Sequence, residues 1–347
     1  MCNFLEANFW SVIGTIISLL GIAASVFAWI YAYKANKYSK ITMDMILADT
    51  TTIKKALEPR ALEIAKSKTL DTELNQEDKK IIREYEKVNI KPKTAEEWFL
   101  KGFALEENKQ DYDKKIEYYK KAIELNPYLE GAYYNMGNAY VDKQEYDTAI
   151  ECYRKAIKIR YDFSEAHYNI GNMYLVHKRE YNKAIECYKK AIELKPDDAE
   201  AYNNMGTAYL DGKQEYDTAM ECYKKAIKLN PNYATAYYNM GFIYDVSKQN
   251  YNMAIKCYKK AIKIKPNYSE AYVHMGIAYK KKQQYDTAIE CYKKAIELKS
   301  DCAIAYYNMG NAYGEKGEKE QERNSKKKAA QLGYGEAKQW LIDNGID

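Results

Sequence analysis

Glycine recurs at Gly102, Gly137, Gly171, Gly206, Gly241, Gly276 and Gly310, at intervals of 35, 34, 35, 35, 35 and 34 residues. A period in that range builds a chain of small similar repeats, each unable to bury its apolar face alone and each covered by its neighbours. An aromatic residue or histidine stands four places before each glycine, and an aromatic usually follows three places after it, as in YYNMGNAY from Tyr133. A short polar turn comes next, and then a segment written five times with little change. It reads YDTAIECYRKAIKIR from Tyr146, YNKAIECYKKAIELK from Tyr181, YDTAMECYKKAIKLN from Tyr216, YNMAIKCYKKAIKIK from Tyr251 and YDTAIECYKKAIELK from Tyr285. In the third copy Ala219, Cys222, Tyr223, Ala226 and Ile227 fall at offsets 0, 3, 4, 7 and 8, the buried stripe of an amphipathic helix. Pro127, Pro196, Pro231 and Pro266 close the segment, where a missing N–H and a fixed φ stop a helix. Each period is thus a helix, a turn and a second helix.

This pattern resembles the tetratricopeptide repeat family. Its succession of large residue, glycine, Tyr, Ala, aromatic, Ala and Pro stands here as Tyr202, Gly206, Tyr209, Ala219, Tyr223, Ala226 and Pro231, and the other repeats restate it over about two thirds of the chain. The resemblance implies an all-α fold, an α-solenoid of about seven helix-turn-helix repeats over 95–332 with the last atypical, and a C-terminal capping helix over 333–347. Repeats of 35 residues hold one extra residue in the turn between helices. Lys115 stands where alanine is expected, and Tyr161 and Ser300 replace proline. The seventh repeat has a polar second segment, KEQERNSKKKAAQL, and its tail AAQLGYGEAKQWL looks like the end of a Sel1-type repeat. A polar final helix suits a solenoid end that no further repeat covers.

The five periodic cysteines raise the question of chemistry. Cys152, Cys187, Cys222, Cys257 and Cys291 lie on the buried stripe and read as small core hydrophobes. Equivalent residues in stacked repeats sit about 8–10 Å apart, beyond disulfide reach. His167, His177 and His274 share no spacing with them, so no metal site is expected, and no cofactor. No nucleophile–base set or phosphate-cradling loop appears, and the chain reads as non-catalytic. The lysine pairs Lys189–Lys190, Lys224–Lys225, Lys259–Lys260 and Lys293–Lys294 suggest a basic ridge. Glu186, Glu221 and Glu290 precede the second lysine by four, as Glu151 precedes Lys155, which points to i,i+4 pairs on a solvated face. With a net charge of only +5, no nucleic-acid partner is expected.

The N-terminus has a different character. Residues 7–33 hold no charge over 27 positions, enough for a helix of roughly 40 Å. With Glu6 before the run and Lys34, Lys37 and Lys40 after it, the expectation is a single-pass transmembrane helix in a lipid bilayer. A short extracytoplasmic N-terminus (1–6) would lie outside, and a helical stalk (34–94) would carry the array on the cytoplasmic side. Ser11, Gly14, Ser18, Gly21, Ser25 and Ala28 form a small-residue stripe that would support weak homo-oligomer formation through the membrane helix.

The remaining surface is the outward face of each first helix, which in this family lines a concave groove for extended peptides or partner helices. The candidate groove residues are Tyr134, Asn135 and Asn138; Tyr168, Asn169 and Asn172; Asn203, Asn204 and Thr207; Tyr238, Asn239 and Phe242; Val273, His274 and Ile277; and Tyr307, Asn308 and Asn311. Asparagine carries both donors and an acceptor, so a ladder of them can pair with a peptide backbone of any sequence. The basic residues with which chaperone-binding members hold a terminal carboxylate are absent from these positions. The leading reading is a membrane-anchored scaffold whose groove binds a protein or extended peptide at the cytoplasmic face. The alternatives are a regulatory or targeting subunit of an enzyme complex, and a nucleic-acid or anionic-lipid surface binder acting through the lysine ridge.

Overall fold

The computed structural model describes residues 92–105 and 111–346. The segments 1–6, 7–33 and nearly all of 34–94, with the small-residue stripe from Ser11 to Ala28, lie outside these residues. Fifteen α-helices and no strand occur among the described residues. In chain order they are α1 (Ala95–Ala104), α2 (Tyr112–Leu125), α3 (Glu130–Asp142), α4 (Tyr146–Ile159), α5 (Ser164–Asn172) and α6 (Tyr181–Leu194). There follow α7 (Ala199–Lys213), α8 (Tyr216–Leu229), α9 (Ala234–Val246), α10 (Tyr251–Ile264) and α11 (Ser269–Lys281). The last four are α12 (Tyr285–Leu298), α13 (Ala303–Glu315), α14 (Lys319–Gln331) and α15 (Gly335–Asp343). The chain divides between Ala166 and His167 into two compact units, so that α5 begins in the first and continues in the second.

Each repeat closes on one contact. The second-helix tyrosines Tyr119, Tyr153, Tyr188, Tyr223, Tyr258 and Tyr292 are fully buried, and each lays its ring edge on the glycine of its own first helix. A Cβ at Gly241 would sit 2.7 Å from Tyr258 Cε1, closer than packed atoms tolerate, which is why only glycine fits there. Alanines fill the spaces between neighbouring helices, with Ala226, Ala261 and Ala295 at 0% exposure.

The turns follow one rule. Gln144, Arg179, Gln214, Gln249 and Gln283 all take the left-handed conformation, with φ from 46° to 62°. Where the repeat is 34 residues long, the next residue closes the helix with a five-residue reach, as Glu145 N–H donates to Tyr140 O at 2.8 Å. Where it is 35, the reach widens by one: Glu180 N–H to Tyr174 O at 2.9 Å, Glu215 N–H to Tyr209 O at 3.2 Å and Asn250 N–H to Tyr244 O at 2.8 Å. The extra residue is absorbed in the turn; after α5 it takes the form of a π-helical stretch, Met173–Lys178. Helix starts carry their own signals. Thr94 and Glu97 form a capping box on α1, and Asp198 accepts from Glu200 and Ala201 N–H, both at 3.0 Å, on α7.

At the C-terminal end, Lys326 takes the place of the buried tyrosine and lies against Gly310. α15 packs back on α14 through Ala337 against Ala329 and Ala330. The localisation expected from residues 7–33, single-pass with the N-terminus outside and the array cytoplasmic, does not stand. No helix among the described residues is long and apolar enough to cross a membrane, and the run itself lies outside them.

Candidate functional site

The first-helix faces hold the candidate groove residues, and the two compact units are taken in turn. In the first, Tyr134 is buried: its ring stacks on Phe163 at 4.7 Å and tilts against Tyr153 at 5.5 Å. Asn135 is buried as well and accepts from Asn138 Nδ2 at 3.4 Å, while Tyr153 OH donates to Asn138 Oδ1 at 2.6 Å. Tyr134 and Asn135 therefore belong to the packing and not, as their spacing suggested, to an open face. A first helix is covered by its own partner helix and by the following repeat, so its buried arc is wider than the single stripe read from the sequence.

In the second unit the same positions form a hydrogen-bonded chain. Tyr188 OH donates to Asn172 Oδ1 at 2.7 Å, and Asn204 Nδ2 donates to the same oxygen at 3.1 Å and to Tyr168 OH at 3.1 Å. Tyr168 OH donates in turn to Glu200 Oε2 at 3.4 Å. Asn203 Nδ2 donates to Asn204 Oδ1 at 3.1 Å, and Asn239 Nδ2 donates to Asn203 Oδ1 at 3.2 Å. Thr207 donates to Asn203 O at 3.2 Å and lies 3.3 Å from Tyr223 OH. Asn203 and Val273 are buried, whereas Asn169, Asn172, Asn204, Thr207, Asn239, His274, Asn308 and Asn311 are half-buried. The asparagines thus spend part of their hydrogen-bonding capacity on one another and hold adjacent repeats in register. Tyr168 and Tyr238 pack on the second-helix tyrosines Tyr188 and Tyr258, both at 5.9 Å. Near the end Tyr307 packs on Tyr334 at 4.8 Å, and Asn308 Nδ2 donates to Ile304 O at 3.0 Å.

The face changes character at α9 and α11. The residue after the glycine, Asn138, Asn172 or Thr207 in earlier repeats, becomes Phe242 and then Ile277. Tyr258 OH and Tyr292 OH, the second-helix phenols of those two repeats, have no hydrogen-bond partner. Burial lowers the pKa of His274, whose ring lies 5.5 Å from Tyr238 and 5.8 Å from Phe242. The spacing argument missed Asp245, 2% exposed, which accepts from Lys281 Nζ at 2.9 Å. Its signal was in the sequence: Asp245 occupies the place of Val141, Leu175 and Leu210.

The outer lysine ridge is matched by carboxylates, though not at the expected spacing. The pairs form at i,i+3: Arg154–Glu151 at 2.7 Å, Lys224–Glu221 at 2.6 Å and Lys293–Glu290 at 2.9 Å. The second basic residue of three doublets lies instead beside a first-helix tyrosine, Lys155 over Tyr133 at 5.7 Å, Lys225 over Tyr202 and Lys260 over Tyr237 at 5.8 Å, while Lys190 and Lys294 pair forward with Glu193 and Glu297, both at 2.6 Å. Cys152, Cys222, Cys257 and Cys291 are buried free thiols, each pushed up to about 11 by desolvation. Among the described residues no group of three or more His, Cys, Asp or Glu converges as a metal site would require.

A family model described as TPR repeat matches residues 137–177, 175–211, 213–244, 245–283 and 276–317, and models described as tetratricopeptide repeat match 95–128 and 118–151. The chain belongs to the tetratricopeptide repeat family, and a Sel1 repeat model matches 303–334. No curated protein matches it. Among solved structures, a tetratricopeptide repeat protein from Parabacteroides merdae is 21% identical with a TM-score of 0.57, over 72% of this chain and 97% of that one. PilF of Pseudomonas aeruginosa is 19% identical with a TM-score of 0.54, over 62% and 97%. A MamA structure is 35% identical with a TM-score of 0.44, over 48% and 96%.

Proposed function

We propose that this chain is a non-catalytic interaction module whose first helices in the second compact unit hold an extended segment of a partner protein. The observation that carries the reading is the row of half-buried amides, Asn172, Asn204, Asn239, Asn308 and Asn311, set on helices, the first three of them pre-ordered by hydrogen bonds within the amide row. Asn239, which spends one N–H on Asn203, keeps a second N–H and its lone pairs for a ligand backbone, Asn204 keeps a lone pair, and their ordering entropy is spent in folding rather than in binding. The outer ridge offers less, since its basic residues are paired with glutamates or laid over tyrosine rings. The test is partner capture by Asn204→Ala/Asn239→Ala against Lys224→Ser/Lys259→Ser, with both melting curves recorded. Loss of a defined partner only in the asparagine variant, at temperatures where it remains folded, supports the reading. Loss only in the lysine variant sinks it.

A further inference from the structure

The α9–α11 stretch of that face differs from the amide row in three ways. Its lining is aromatic: Tyr238, Phe242 and His274 are all half-buried, with Tyr238 also 5.2 Å from Tyr268. Its charge is negative. Glu270 lies close enough to Tyr238 and His274 to favour the protonated form of each, and its one hydrogen bond comes from Ser269 Oγ at 3.1 Å, with no salt bridge among the described residues. The nearby cations are already committed, Lys281 to Asp245 at 2.9 Å and Lys265 over the Tyr268 ring at 4.9 Å. Finally, two polar groups are left over. Tyr153 and Tyr188 give their protons to Asn138 and Asn172, but Tyr258 and Tyr292, at 0% exposure, have unpartnered oxygens, and the Tyr258 ring lies 5.9 Å from Tyr238 and 6.1 Å from His274. A buried phenol without a partner is uncommon, because leaving the group unmade costs about 1–3 kcal/mol.

Aromatic faces, an unpaired carboxylate and spare phenol oxygens share one complement, a flat cation rich in N–H donors. Resting on the groove reading, we propose that Tyr238, Phe242, His274 and Glu270 form a subsite for an arginine side chain carried by a basic partner segment. The guanidinium stacks on the rings and directs N–H groups at Glu270, with the unpartnered Tyr258 phenol behind Tyr238 and His274 as a further acceptor. This selects against acidic segments, whose carboxylates would face Glu270.

The probe is a set of immobilised dodecapeptide libraries, degenerate except for a central position fixed as arginine, citrulline, leucine or glutamate. The wild-type chain retains the arginine library about tenfold over the citrulline one, and added salt erodes that preference. Glu270→Gln abolishes the preference without loss of stability, since the side chain is exposed. Phe242→Asn places the residue of the second and third repeats in the fifth, gives Tyr258 an acceptor, and removes the stacking face with the fold kept. Equal retention of arginine and citrulline, or preference for leucine or glutamate, overturns the arginine subsite while library binding leaves the groove reading standing. Retention of no library overturns both.

Discussion

Tyr188 and Tyr258 occupy equivalent places two repeats apart, both sealed from solvent, and both hydroxyls have pKa values raised by burial. Their surroundings differ at several places, His274 standing for Asn204 and Asp245 for Leu175, and at the hydroxyl the difference is one acceptor: Asn172 receives the first proton, while Phe242 holds that position in the later repeat and the second hydroxyl is unpartnered. Tyr188→Phe therefore costs about 1 kcal/mol, while Tyr258→Phe is neutral or stabilising because it removes an unmet polar group. Urea midpoints measure both, and equal losses would mean that Tyr258 has a partner after all. The thiols make a second residue-scale case. With pKa values near 11, Cys222 and Cys257 carry almost no thiolate at neutral pH and lie on buried helix stripes. Iodoacetamide followed by mass spectrometry should modify half-buried Cys302 first and these two only as the array unfolds. Fast native labelling of Cys222 would show that its helix opens locally.

At the scale of the element, the turns supply the test. Gln214 sits at φ 52°, a conformation that gives an L-residue a penalty of about 1 kcal/mol and glycine none. Gln214→Gly should raise the unfolding free energy by a few tenths to about 1 kcal/mol, less the greater freedom of glycine in the unfolded chain, and Gln214→Val should lower it. A stability order with valine above glutamine would refute the strain argument. The turns also show what could be read in advance. Period, helix order and even the extra residue of the longer repeats were visible, because glycine under a tyrosine ring and a fixed apolar spacing are local rules. The outward face was only half legible: Tyr134, Asn135 and Asn203 proved buried because the neighbouring repeat covers them, which spacing within one helix does not encode. The i,i+4 pairing on the outer helices failed for a related reason, since first-helix tyrosines draw off Lys155 and Lys225, and Glu193 and Glu297 draw off Lys190 and Lys294.

At the scale of the whole molecule, a repeat array is stabilised by each neighbour in turn, so its last repeat must be closed by something other than another copy. Here Glu322 and Lys326, 7% and 3% exposed, pair at 3.1 Å under α15, with Lys326 Nζ 4.0 Å from the Trp340 ring. Burial pushes the Glu322 carboxyl up, but hydrogen bonds and charge from Lys326 and Lys319 outweigh it and hold the group below its usual range. A carboxyl with a depressed folded-state value contributes stability above the unfolded-state value, and that stability is lost as pH falls through the folded one. The C-terminal repeat should therefore be the acid-sensitive end of the second unit. Amide exchange, corrected for its intrinsic pH dependence, should show protection across α13–α15 at neutral pH that declines on acidification before that of α9–α12. Glu322→Gln leaves Lys326 buried without its counter-charge and should remove about 3 kcal/mol from this end at neutral pH, with the acid dependence flattened. The pair Glu322→Leu with Lys326→Tyr restores the residue that fills this slot in the other repeats and needs no charge. It should keep protection at both pH values, because packed apolar groups can replace a buried ion pair without loss. If the doubly substituted protein still loses protection in acid, the sensitivity lies elsewhere in the last repeat and the ion pair is not its cause.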